Sequence, residues 1–209
     1  MKVLLLHAFP YDEAMWSPQQ PVLEGRDVVA PPLYGRGATM DEWASSLLDE
    51  VEGELCVVGA SMGGGCAVAM ARRAPARVHG IVLAGAHAGP DAPERRPERE
   101  ATIRRLREEG AEAVWAGEGE PPPAEQLIAV VEALRDRPDD RAVVARFAGP
   151  LLVVTGSDDP MIEPDAARAL ADSAPRGRFA LVEDAGHLVS IDRPDEFNRH
   201  LAGFLEECA

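Results

Sequence analysis

Between the apolar run Leu55-Cys56-Val57-Val58 and the helical run from Cys66 to Ala74 stands Gly59-Ala60-Ser61-Met62-Gly63. Strand, sharp turn, helix is an order that leaves few folds open when a serine sits at the apex. Such a serine takes a strained backbone conformation costing roughly 1–3 kcal/mol. The residues two before and two after it approach so closely that side chains larger than Gly or Ala clash. Its hydroxyl then stands above a sheet edge, and the next helix points its N-terminus at the same spot.

The rest of the chain supplies the sheet. Val3 to Leu6 is apolar on both faces, as a buried parallel strand must be, and runs into His7-Ala8-Phe9-Pro10. Residues 13–24 read as a Pro-broken crossover, and Asp27 to Ala30 as a second strand stopped by Pro31-Pro32. Met40 to Val51 has helical spacing, with Trp43, Leu47, Leu48 and Val51 on one face. Leu55–Val58, Val78–Leu83, Leu151–Thr155 and Arg178–Val182 are the further strands. Pro164–Ser173 is a helix, and Asp195–Glu207 closes the chain with Phe197, Leu201 and Phe204 inward. The alternation predicts a mostly parallel, six-stranded α/β sheet with helices on both faces and its site at the strand C-termini.

Residues 86–149 change texture, with Arg, Glu, Pro and Ala around apolar residues at helical intervals and a break at Gly117–Pro123. They read as a short helical cap inserted in a single domain spanning 1–209. An insertion of this length covers a site at the strand ends only in part. Arg95, Arg96, Arg99, Arg104 and Arg105 are expected on its outer face as solvated charges.

Composition excludes some partners. A net charge of -15 argues against nucleic acid. It says little about a small substrate, since screening acts over about 8 Å at physiological salt. No apolar run nears the roughly 20 residues of a membrane span, and Val3–Leu6 is too short for a signal peptide. Three cysteines, an odd count, with two on predicted buried elements, point to a reduced cytoplasmic compartment. No His, Cys and carboxylate cluster has metal-ligand spacing, and no Gly-rich loop matches a phosphate cradle, so no cofactor is expected. Monomer and homodimer are equally compatible with the sequence.

Three strand ends carry chemistry together: Ser61, then Gly156-Ser157-Asp158-Asp159-Pro160, then Asp184-Ala185-Gly186-His187. A serine hydroxyl is a poor nucleophile until an imidazole takes its proton. A buried carboxylate must hold that imidazole in one tautomer and stabilise the imidazolium. Two donors must then receive the oxyanion, and the backbone N–H groups of Phe9 and Met62 are the candidates.

In this chain order the sequence resembles the α/β-hydrolases, and within them the branch of 3-oxoadipate enol-lactone hydrolases and cofactor-free haloperoxidase-type esterases. Leu5 to Pro10, Gly59 to Gly64, Thr155 to Asp159, and Gly186-His187 followed by Asp192, Pro194 and Phe197 carry the resemblance. It implies Ser61 as nucleophile and His187 as base. Its spacing places the acid three residues after Gly156, favouring Asp159 over Asp158, which then serves the turn. Asp184 and Asp192 are read as turn and cap residues, and His7 as a hydrogen-bonding anchor of the oxyanion loop. His87, Trp115, Met161 and Leu188 are candidate pocket residues.

The chain also departs from the family. It begins on the first parallel strand, without the usual antiparallel hairpin, and His7-Ala8 replaces the commoner His-Gly. The expected activity is hydrolysis of a small carboxylic ester, lactone or thioester through an acyl-enzyme. Two alternatives stay open: a non-hydrolytic triad enzyme (C–C cleavage, lyase or perhydrolase) and a non-enzymatic ligand-binding module.

Overall fold

The computed structural model describes residues 1–208. Its sheet has six strands: β1 (Lys2–Leu6), β2 (Val28–Val29), β3 (Leu55–Ala60), β4 (Val78–Ala84), β5 (Leu151–Gly156) and β6 (Gly177–Val182). They lie in the order β2-β1-β3-β4-β5-β6, and every pairing is parallel.

The alternating side chains of these strands explain why the runs are apolar throughout. Leu4, Leu6, Val57, Leu83 and Val153 face one layer. Val3, Leu5, Val58, Val82 and Val154 face the other. The first layer is covered by α2 (Met40–Glu50), α3 (Met62–Arg73) and α7 (Pro164–Ser173), through Trp43, Leu47, Met70 and Leu170. The second is covered by a 3-10 turn (Glu13–Gln19) that continues into α1 (Gln20–Leu23), and by α9 (Pro194–Glu207). Their contributions are Trp16, Leu23, Phe197, Leu201 and Phe204. With two buried faces there is no polar side to alternate with.

Element bounds shift from the predicted ones where tertiary contacts outvote local sequence. The second strand shrinks to Val28–Val29 at the sheet edge. The helix expected from Cys66 starts at Met62, so Gly63, Gly64 and Gly65 are helical despite a cost near 1 kcal/mol each. A Cβ at Gly63 would collide with the carbonyl of Leu6, so only glycine lets α3 pack this tightly on β1. At the start of α2, Thr39 and Glu42 form a capping box in which each side chain accepts the other's backbone N–H.

Between β4 and β5 run α4 (Arg96–Glu109), α5 (Ala124–Arg135) and α6 (Arg141–Arg146). Ile103, Leu106, Leu127 and Val131 join the first two of these helices, and this cluster rests on Phe9, Tyr34 and Trp115. The helices therefore stand over the C-terminal end of β1. A turn of helix, α8 (Val189–Asp192), follows β6 before α9. Among the described residues, no helix is long and apolar enough to cross a membrane.

Candidate active site

Ser61 follows β3 with φ at 48° and ψ at -107°, one of two non-glycine residues at positive φ among those described. Its position is enforced from both sides, since a Cβ on Gly59 would strike the backbone of Gly63. Ser61 occupies the N-cap of α3, yet its side chain makes no capping bond. The hydroxyl points instead to His187, with Oγ 2.8 Å from Nε2.

His187 lies in the loop after β6, and its Nδ1 is 2.9 Å from Asp159 Oδ2 and 3.0 Å from Oδ1. A carboxylate only accepts, so Nδ1 carries the proton and Nε2 is left to accept from Ser61. The Asp159 side chain is fully buried and that of His187 is 16% exposed. Asp159 Oδ1 also accepts the amides of Met161 and Ile162, at 2.8 and 3.1 Å. Burial opposes ionisation of Asp159. The hydrogen bond and charge of His187, with those two amides, outweigh it and hold the carboxyl below its usual range. Asp158 is exposed and receives only the Ser157 hydroxyl, at 3.3 Å.

The loop after β1 passes close by, through a cis Phe9–Pro10 bond. His7 is fully buried at its base; Nε2 accepts the Leu33 amide at 2.9 Å, and Nδ1 donates to the Ala8 carbonyl at 3.0 Å. Burial lowers its pKa, against a hydrogen bond that raises it, so the ring stays neutral and both contacts persist. Met62 is the first residue of α3, where an amide has no intrahelical acceptor. The Phe9 amide likewise donates to no protein acceptor among the described residues. Phe9, Ser61 and His187 line one cavity of about 230 Å³.

Residues 3–200 match the alpha/beta hydrolase family. The chain belongs to that family. A curated relative, the pimeloyl-[acyl-carrier protein] methyl ester esterase of Aromatoleum aromaticum, is 28% identical, covering 93% of this chain and 94% of its own. A thermophilic esterase from Thermogutta terrifontis superposes with a TM-score of 0.88 at 27% identity, covering 100% of this chain and 90% of its own. The enol-lactonase from Burkholderia xenovorans LB400 has the same fold, with a TM-score of 0.84 at 22% identity, over 98% of this chain and 91% of its own.

In this alpha/beta hydrolase the cavity is also lined by Met161 and His87. Trp115 and Leu188 do not line it. Trp115 is drawn aside by packing edge-on to Tyr34 and donating its indole N–H to the Gly119 carbonyl at 2.8 Å. Leu188 packs into the layer under α9. A wider hollow of about 620 Å³ beside β2, between Trp16, Pro21 and Val28, has no histidine in its lining, so size alone does not mark the site.

The solvated-arginine expectation is corrected. Arg96, Arg104 and Arg105 are exposed. Arg99, however, is buried and grips Asp91, and Arg95, Arg99 and Arg137 all reach the cavity wall. No motif or period announces this, because an arginine that pairs inward and one that faces water look alike in sequence. Asp192 accepts the Gly186 amide at 2.9 Å, and Asp184 bonds Arg193 at 2.7 Å, so both shape the loop that presents His187. Cys66 is buried in α3, which pushes its thiol up to about 12, the behaviour of a packing residue. Among the described residues no group of His, Cys, Asp and Glu could hold a metal ion.

Proposed function

We propose that this alpha/beta hydrolase cleaves a small carboxylic ester, lactone or thioester through an acyl-enzyme on Ser61. The reading rests on one observation: a single imidazole, His187, lies within hydrogen-bond distance of both Ser61 Oγ and the buried Asp159. Two esterases at 28% and 27% identity support the substrate class.

Each group has one task. Ser61 Oγ attacks the acyl carbon while His187 Nε2 takes its proton. The same imidazolium then protonates the leaving oxygen or sulfur. Asp159 fixes the tautomer and stabilises the imidazolium. The amides of Phe9 and Met62 receive the charge that develops on the carbonyl oxygen. Water, activated by His187, hydrolyses the acyl-enzyme in a second half-reaction. A cavity of about 230 Å³ suits short acyl groups, being smaller than the roughly 300–1,000 Å³ of most ligand pockets.

The test is a fluorophosphonate label followed by peptide mapping, alongside p-nitrophenyl acetate turnover. Labelling at Ser61 and loss of both signals in Ser61→Ala are expected. A wild-type protein that neither labels nor turns over esters sinks the reading and leaves a ligand-binding module.

A further inference from the structure

We propose that Arg137, held with Arg99 on the single carboxylate of Asp91, gives the cavity a cationic wall that selects esters or lactones bearing a second, anionic carboxylate. The inference rests on the hydrolase reading and names its substrate class.

The cluster is built around a mismatch of charge. Arg99 holds Asp91 by two bonds, Nε to Oδ2 at 3.0 Å and Nη2 to Oδ1 at 3.2 Å. Arg137 adds a third, Nη2 to the same Oδ1 at 3.2 Å. The three side chains are 10%, 8% and 3% exposed for Arg99, Arg137 and Asp91. One carboxylate can neutralise one guanidinium, so the cluster keeps one positive charge out of bulk water. A bidentate Arg99–Asp91 pair is complete in itself. Arg137 is surplus to it.

Nothing else nearby absorbs the surplus. Arg137 also donates to His87 Nε2. That imidazole is neutral, its pKa lowered to about 4 by burial and by the Arg137 charge, so it contributes a lone pair and no negative charge. Arg137 keeps its own charge at neutral pH, since burial lowers it only to about 10. Its Nε–H is buried without a hydrogen-bond partner. Arg95 at the same wall is answered by Glu98, at 3.4 Å. Two largely buried guanidinium groups sharing one carboxylate are costly, and an anion entering the cavity beside Arg137 relieves that cost.

The geometry of the cavity links this charge to the chemistry. Arg99, Arg137 and His87 line the same small space as Ser61 and His187. A short diacid monoester can therefore set its ester carbonyl at Ser61 and its free carboxylate toward Arg137. The protein carries a net charge of -15 and repels anions overall. A local cation is what an anionic substrate would need here. Guanidinium, with its fixed fork of donors, fits a carboxylate better than an ammonium would.

The experiment compares monomethyl succinate and monomethyl glutarate with their uncharged isosteres, methyl 4-methylpentanoate and methyl 5-methylhexanoate, by pH-stat. The expected kcat/KM is higher for the acids by about tenfold or more, the scale of one charge-assisted hydrogen bond, and expressed in KM. Raising salt should shrink the ratio, and Arg137→Met should bring it close to one. In case that variant folds poorly, free succinate should inhibit wild-type hydrolysis of the neutral ester competitively. Hydrolysis of both classes with a ratio at or below one, or no inhibition by succinate, overturns the charge preference alone. No hydrolysis of either class overturns the hydrolase reading and this inference with it.

Discussion

Asp159 meets His187 with both carboxylate oxygens, 2.9 and 3.0 Å from Nδ1, while the adjacent Asp158 turns to solvent. One residue of chain thus separates a buried partner of the imidazole from an exposed turn residue. Asp159→Asn should lower kcat by roughly 10⁴, because an amide would favour the wrong imidazole tautomer. Asp158→Asn should stay close to wild type in rate and lose under about 1 kcal/mol of stability, since only Ser157 bonds to it. Ester hydrolysis and urea midpoints for the pair decide this, and the reverse pattern would reassign the acid.

Ser61 offers a test that separates catalysis from folding. Ser61→Ala should reduce kcat by about 10⁶ if the three groups act as a unit. Ser61→Gly should be equally inactive and more stable than wild type by about 1 kcal/mol, because glycine tolerates the positive φ that strains serine. A urea midpoint for Ser61→Gly at or below that of wild type would mean that the elbow stores no such strain.

Stability should depend on pH through the buried His7 and the half-buried His87. The folded-state pKa values of His7 and His87 are lowered, that of His87 to about 4. The unfolded chain therefore binds protons that the folded one refuses, and folding stability must fall as pH drops from about 6.5 toward 4. The full contribution is present above about pH 6.5. Arg137, Arg95 and His187 oppose protonation of His87, while Asp91 favours it, so the shift survives its acidic neighbour. His87→Gln should flatten part of the slope in urea midpoints measured between pH 7 and 5. An unchanged slope would show that His87 titrates normally.

Asp91 should matter to stability out of proportion to its place in a loop. Asp91→Asn would leave the guanidinium groups of Arg99 and Arg137 without their common anion, at a cost of about 3 kcal/mol. Exposed pairs such as Arg105–Glu109 supply the control, since their removal should change stability by less than about 0.5 kcal/mol. Equal midpoints for Asp91→Asn and Glu109→Gln would contradict the structure of this cluster.

The contrast between those two pairs marks the border of what the sequence reveals. Strands such as Val3–Leu6 and Leu151–Thr155 are legible because burial on both faces demands an unbroken apolar run. Ser61 and His187 are legible because each is tied to a short local pattern of glycines and strand ends. Arg99 is not, for α4 is charged almost all round and its register against the Asp91 loop depends on where Ile103 and Leu106 pack. Trp115 fails for a related reason. An aromatic side chain can face a cavity or a neighbouring ring, and only the position of Tyr34 decides.

The same Tyr34 belongs to a set of ties whose effect is mechanical. The segment after β1 is bound to the chain ahead of α5 by Ala116 N–H on the Pro10 carbonyl and by the Glu118 and Gly119 amides on Asp12. Tyr34 fastens it again through Tyr11. The segment that carries Phe9 and the chain leading into α5, whose Leu134 lines the cavity, are therefore tied into one frame. Lifting the chain ahead of α5 would have to break these bonds or carry the Phe9 segment with it. Loosening the frame, as in Asp12→Ala, should therefore disturb Phe9 and Pro10 at the cavity wall together with the chain that leads into α5.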